Sequence, residues 1–253
     1  MTYQENYQKW LDFAELPAYL RDELVAMDEK TKEDAFYTNL EFGTAGMRGL
    51  IGAGTNRINI YVVRQATEGL AQLIDSKGEE AKKRGVAIAY DSRHFSPEFA
   101  FESAQVLAAH GIKSYVFESL RPTPELSFAV RHLHTFAGIM VTASHNPAPF
   151  NGYKVYGEDG GQMPPADADA LTDYIRAIEN PFTVQLADLE ESKANGLIEV
   201  IGENVDAEYL KEVKGVNINQ DLINEYGRDM KIVYTPLHGT GEMLARRALA
   251  QAG

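Results

Sequence analysis

Three short apolar runs, Val86–Tyr90, Ser114–Phe117 and Phe136–Val141, each stop at a polar or proline-bearing loop, with residues at helical spacing filling the intervals. Runs of this length with β-branched residues read as buried strands. Asn59 caps a helix over 60–75. A Ser96 N-cap with Pro97 at the first helical position starts one that ends near His110-Gly111, and Thr123-Pro124-Glu125 starts another capped helix to about Leu133. Strand–helix alternation predicts an α/β fold, a mostly parallel, doubly wound mixed sheet with helices on both faces. Residues 3–38 read as helical, with Trp10 as packing rather than a ligand platform, and Pro164-Pro165 lead into a helix with Leu171, Tyr174, Ile175 and Ile178 on its apolar side. Further on, the pattern predicts a strand over 197–201, a helix capped by Asp206 through Val213, a helix over 219–226, a strand over 231–234 and a helix over 244–251.

The chemistry concentrates where the third run stops, at Thr142-Ala143-Ser144-His145-Asn146-Pro147, with Asn151-Gly152-Tyr153-Lys154 just beyond. Prolines 147 and 149 forbid regular structure, so Ser144 opens a stiff loop at a strand C-terminus, the edge where open α/β sheets bind ligands. A serine-hydrolase elbow needs Gly-x-Ser-x-Gly, and Thr142 and Asn146 occupy the glycine positions. A phosphoryl-bearing serine needs cations and N–H donors around about two negative charges, which His145, Asn146, Lys154 and a distant arginine can supply. An ordinary strand-end loop also accounts for Ser, Asn and Pro here. The glycine-dense stretch Gly43-Thr44-Ala45-Gly46-Met47-Arg48-Gly49, running on to Gly52 and Gly54, lacks the lysine of a P-loop and the third glycine of a dinucleotide fingerprint.

Composition narrows the partners. With Lys+Arg 24 against Asp+Glu 37 the net charge is −13, which argues against nucleic acid or an anionic membrane. No cysteine is present, which fits a reducing cytosol and excludes a thiolate metal site. The first residues lack a secretory pattern, and the expectation is a soluble cytoplasmic protein. His94, His110, His132 and His134 lack a paired-ligand context. Asp167, Asp169 and Asp173 suit the N-terminal part of a helix better than a metal site.

Thr-Ala-Ser-His-Asn-Pro followed by Asn-Gly-Tyr-Lys closely resembles the phosphoserine loop of the α-D-phosphohexomutases, the phosphoglucomutase and phosphomannomutase superfamily, and Phe42-Gly-Thr-Ala-Gly-Met-Arg-Gly49 resembles the N-terminal signature of the same family. Asp91-Ser92-Arg93 and Arg121-Pro122-Thr123-Pro124 resemble two further family loops, and Thr235-Pro236-Leu237-His238-Gly239-Thr240-Gly241 resembles the opening of its second domain in the branch with bacterial phosphoglucomutases and phosphopentomutases. The resemblance implies Ser144 as phosphoryl carrier, with Lys154, Arg48 and His145 beside it in catalysis. Thr44, Arg48, Asn146, Arg93 and His238 are implied on substrate or phosphate, and a phosphoserine oxygen on Mg²⁺. For Asp91 and Arg93 a local ion pair that holds the loop is the favoured reading. The implied reaction interconverts glucose 1-phosphate and glucose 6-phosphate through bound glucose 1,6-bisphosphate; phosphomannomutase, phosphopentomutase, a phosphatase using Ser144 and a non-catalytic phosphosugar-binding role stay open.

By the resemblance, residues 1–200 form the first domain and 201–253 an incomplete start of a second. The family's Asp-rich magnesium loop is missing from the sequence. The chain alone is therefore expected to lack mutase turnover. The segment after about residue 205 is expected to be poorly ordered, to dock on the first domain, or to self-associate with another copy.

Overall fold

The sheet follows from the alternation. The computed structural model describes residues 2–43 and 46–253. In chain order it holds α1 (Tyr3–Asp12), α2 (Ala18–Ala26), α3 (Glu29–Phe36), β1 (Met47–Leu50), α4 (Ile60–Lys77), α5 (Glu79–Arg84), β2 (Val86–Tyr90), α6 (Ser96–Ala109), β3 (Ser114–Phe117) and α7 (Thr123–His132). There follow β4 (Ala137–Val141), β5 (Phe150–Tyr156), α8 (Pro165–Ala177), α9 (Leu189–Ala194), β6 (Ile198–Ile201), α10 (Glu203–Gly215), α11 (Gln220–Tyr226) and α12 (Glu242–Ala252). The strands form one six-stranded sheet in the order β1-β5-β4-β2-β3-β6. β2 pairs in parallel with β3 and β4, and β3 with β6, whereas β5 runs antiparallel to β4 and β1.

Period-two alternation divides the strands between two layers. Ile88, Ile139, Val141 and Tyr153 face α4 and α6, while Ala87, Ala89, Met140 and Phe117 face α7 and α10. Full burial of a side chain such as Phe117 or Ile88 contributes about 1.5–3 kcal/mol. Trp10 serves the packing expected of it: its ring meets Phe36, Tyr61 and Phe182 edge-on, at centroid distances of 5.8, 5.5 and 5.3 Å. It seats α1 against α3 and α4. No helix among the described residues is long and apolar enough to cross a membrane.

Four expectations need correction, and two strands were not anticipated. Residues 150–156 form the second strand from the sheet edge, and β1 is a further strand that the glycine-rich stretch did not announce. Ser96 is inside α6 rather than its cap: Phe95, at φ 64°, stands at the cap position, and the Ser96 hydroxyl donates to Asp91 Oδ1 at 2.8 Å. Thr123 makes no capping bond, since α7 begins after Pro122. Asp206 lies within the first turns of α10, where Arg121 claims its carboxylate. Residues 231–234 are exposed and belong to no strand. A strand exists only through its inter-strand bonds, and no described strand runs beside this segment.

Within the segment after residue 205, two helices pack back toward the sheet layer. α10 packs on α7, and α12 packs on α10 through buried Leu244 and an Arg247–Glu203 ion pair of 2.7 Å.

Candidate phosphoryl-transfer site

Three loops leave the C-terminal ends of β2, β3 and β4 at one edge of the sheet, and the β4 loop carries Ser144. Ser144 and His145 are exposed, and His145 Nδ1 lies 3.3 Å from Ser144 Oγ. Ser144 adopts φ 56°, the left-handed region, which is unusual for a residue that is neither Gly nor Asn. Its N–H donates to Thr142 Oγ1 at 3.0 Å, and the Thr142 hydroxyl donates to Asp91 Oδ2 at 2.6 Å.

Arg93 clamps the rest of the loop. One terminal nitrogen donates to the carbonyls of Pro147 and Phe150, both at 2.9 Å, and the other to those of Ser144 at 2.9 Å and Asn146 at 2.6 Å. Its Nε lies 3.3 Å from Asp91 Oδ2. The planar guanidinium fork suits this, because its donors leave in fixed directions. Arg93, expected on phosphate, thus directs its donors at protein oxygens of the loop and at Asp91.

Antiparallel pairing brings the two distant cations to this edge. Arg48 on β1 faces Gly152 on β5, with Lys154 two residues along the same face. Gly152 leaves the room for this. A Cβ there would lie 2.6 Å from the Thr142 carbonyl oxygen and 3.1 Å from Arg48 Cγ. Gly46, at φ 99°, is required too, since a Cβ would lie 2.8 Å from Lys154 Cα and closer still to the Tyr153 carbonyl. Arg48 is exposed and donates to Asn146 Oδ1 at 3.4 Å. Lys154 is buried, and that burial, reinforced by Arg48, lowers its pKa against the opposing pull of Asp91.

His238 comes to the same edge by its backbone: its carbonyl accepts from Ser92 Oγ at 3.2 Å. Thr44 lies outside the described residues. Thr142 and Asn151, both within the motifs, carry structural duties that the sequence reading did not give them, and Asp91 gathers more donors than the ion pair expected of it. Asn151 donates to the His94 carbonyl at 3.0 Å and Ser96 Oγ at 2.9 Å, tying β5 to the loop after β2.

Mg²⁺ requires several oxygen ligands. Asp91, the carboxylate nearest the loop, is occupied by Thr142, Ser96 and Arg93, and no group of three His, Cys, Asp or Glu residues suited to a metal occurs among the described residues. Asp167 and Asp169 sit on α8, as expected from the macrodipole. The described residues thus do not form a Mg²⁺ site by themselves.

Comparison with known proteins gives the family. Phosphoglucomutase from Staphylococcus saprophyticus is 39% identical over 232 residues, which cover 92% of this chain and 41% of that protein. Phosphoglucomutase from Staphylococcus haemolyticus is 40% identical over 243 residues, covering 94% and 41%. The chain thus spans about two-fifths of the length of these relatives. The open form of parafusin, a phosphoglucomutase from Paramecium, shares the fold at a TM-score of 0.60 and 19% identity, over 85% of this chain and 42% of that one. Residues 39–182 match the model of phosphoglucomutase/phosphomannomutase α/β/α domain I, and the chain belongs to that family.

Proposed function

We propose that this chain supplies the phosphoserine half of a phosphoglucomutase, with Ser144 as the covalent phosphoryl carrier. The observation that carries the reading is convergence: Arg48 from β1 and Lys154 from β5 lie on one face beside the clamped Ser144 loop. In the first half-reaction the bond from phosphorus to Ser144 Oγ breaks and one to a sugar hydroxyl oxygen forms. Lys154, whose pKa burial and Arg48 lower, receives the hydroxyl proton, and His145 gives one to the departing serine oxygen. Arg48 holds phosphate charge in its planar fork. The second half-reaction runs in reverse from the other end of glucose 1,6-bisphosphate. Such chemistry is mostly positioning and charge neutralisation.

The remaining parts of the proposal concern the whole protein. They are Mg²⁺ held on the phosphoserine by aspartates that this sequence does not supply, a cytoplasmic setting, sugar phosphates as partners, Asn146 and His238 on substrate phosphate, and self-association through residues 201–253. Residues 1–200 would be the first domain and 201–253 the start of a second. The test is a coupled assay for glucose 6-phosphate on the natural-length protein, with Mg²⁺ and glucose 1,6-bisphosphate supplied and mannose and ribose 1-phosphates run in parallel. Ser144→Ala should abolish turnover. Full turnover by that variant would overturn the covalent mechanism, and a preference for another sugar would move the substrate.

A further inference from the structure

Four donors converge on the carboxylate of Asp91. Oδ1 accepts from the Arg93 N–H at 3.0 Å and the Ser96 hydroxyl at 2.8 Å, and Oδ2 faces the Thr142 hydroxyl at 2.6 Å and Arg93 Nε at 3.3 Å. The consequence lies in the direction of one hydroxyl. A carboxylate only accepts, so the Thr142 O–H must point at Asp91. Its oxygen lone pairs are then left for the N–H of Ser144, 3.0 Å away. That bond sits at the residue held in the left-handed region, which is unfavourable for a non-glycine residue. Strain of this kind persists only where the surroundings fix it. Here they fix it from both sides, since Arg93 holds the Ser144 carbonyl at 2.9 Å and is itself paired with Asp91.

We propose that Asp91 is a positioning residue of the transfer reaction, acting through Thr142 on the N–H of Ser144 and through Arg93 on its carbonyl. One carboxylate thereby holds both peptide groups of Ser144 and fixes the direction in which its Oγ is presented. The consequence for turnover rests on Ser144 being the phosphoryl carrier; the conformational claim does not. Displacing a reacting atom by about 1 Å costs on the order of 10²-fold in rate, so loosening this residue should affect transfer far more than sugar binding.

The test compares Thr142→Val, which keeps the β-branched shape and removes the hydroxyl, with Thr142→Ser, which keeps the hydroxyl, and with Asp91→Asn. In Asp91→Asn the amide N–H would face the donors of Thr142 and Arg93. Each is made in the natural-length protein and read by amide hydrogen exchange at Ser144, by kcat and by KM for glucose 1-phosphate. Thr142→Val and Asp91→Asn should accelerate Ser144 exchange at least about 10-fold and lower kcat by about 10²-fold, with KM within about 3-fold of wild type. Thr142→Ser should restore both readouts to within about 3-fold. Wild-type exchange in Thr142→Val and Asp91→Asn would overturn the proposal, as would accelerated exchange with undiminished kcat. Should the wild-type protein show no mutase turnover, the proposed function fails separately. The exchange measurement would then still decide whether Asp91 and Thr142 hold Ser144.

Discussion

Two adjacent strand ends each carry an arginine paired with an aspartate, and they use the pair in opposite ways. After β2, Arg93 stays at the rim and directs its fork at four loop carbonyls, while Asp91 gathers hydroxyl and N–H donors. After β3, Arg121 is fully buried and clamped by Asp206 of α10, with Nε–Oδ1 at 2.8 Å and Nη2–Oδ2 at 2.9 Å. Buried Glu125 lies beside them, 3.7 Å from Arg121 Nε. As a carboxylate, neither of its oxygens would have a donor within hydrogen-bond range among the described residues. Burial and the neighbouring Asp206 carboxylate push its pKa up to about 8, so at neutral pH it is mostly protonated and can donate to Asp206. Asp206 is held low by Arg121 despite its burial. The rim pair shapes the loop that carries Ser144; the interior pair joins the loop before α7 to α10. Exposure decides which role a given arginine takes.

The largest effect should come from the interior pair. Arg121→Met strips the main cation from buried Asp206, and removing one partner of a buried pair costs about 3–5 kcal/mol. The urea midpoint of the natural-length protein should fall accordingly. A loss below about 1 kcal/mol would erase the distinction between the two sites. Arg93→Lys should cost less, about 1–2 kcal/mol, because the ammonium keeps the charge but cannot reach four carbonyls. Its mark should be local: faster amide exchange across 143–150 and lower kcat.

Much of this contrast was invisible in the sequence. Ser144, Arg48 and Lys154 were legible because each lies in a contiguous motif whose residue order is uncommon. β5 was not, since Asn151-Gly152 after two prolines reads as loop, and its strand character comes from pairing with β4 and β1. Asp206 resembled a helix cap because an acid before a helical pattern usually is one; only the fold brings Arg121, 85 positions earlier, against it. The same applies to Asp91 and Thr142, which are 51 residues apart. The sheet was readable from local periodicity, whereas the hydrogen-bond directions that shape the site depend on contacts between distant loops.

Glu125 sharpens the comparison through pH. Its folded pKa is raised from 4.5 to about 8, so its stabilising contribution is complete below about pH 4.5 and is lost as pH rises through 8. Thermal unfolding between pH 5 and 9 should show that decline, and Glu125→Gln should flatten it. An unchanged slope in Glu125→Gln would mean that the carboxyl is not held neutral. The smallest effect belongs to the outer shell of the cluster. Arg247 reaches Glu203 at 2.7 Å and Asp206 at 3.4 Å from a partly exposed position. Arg247→Ala should cost only about 0.5–1 kcal/mol, with faster exchange confined to α12.

The central claim is that the rim loop exists to carry a phosphoryl group on Ser144. Peptide mass spectrometry of the natural-length protein, incubated with glucose 1,6-bisphosphate, addresses it most directly. The account predicts a single phosphate on the peptide containing Ser144, discharged when glucose 1-phosphate is added in excess. A protein with full mutase turnover and no phosphate on Ser144 under any of these conditions would contradict it.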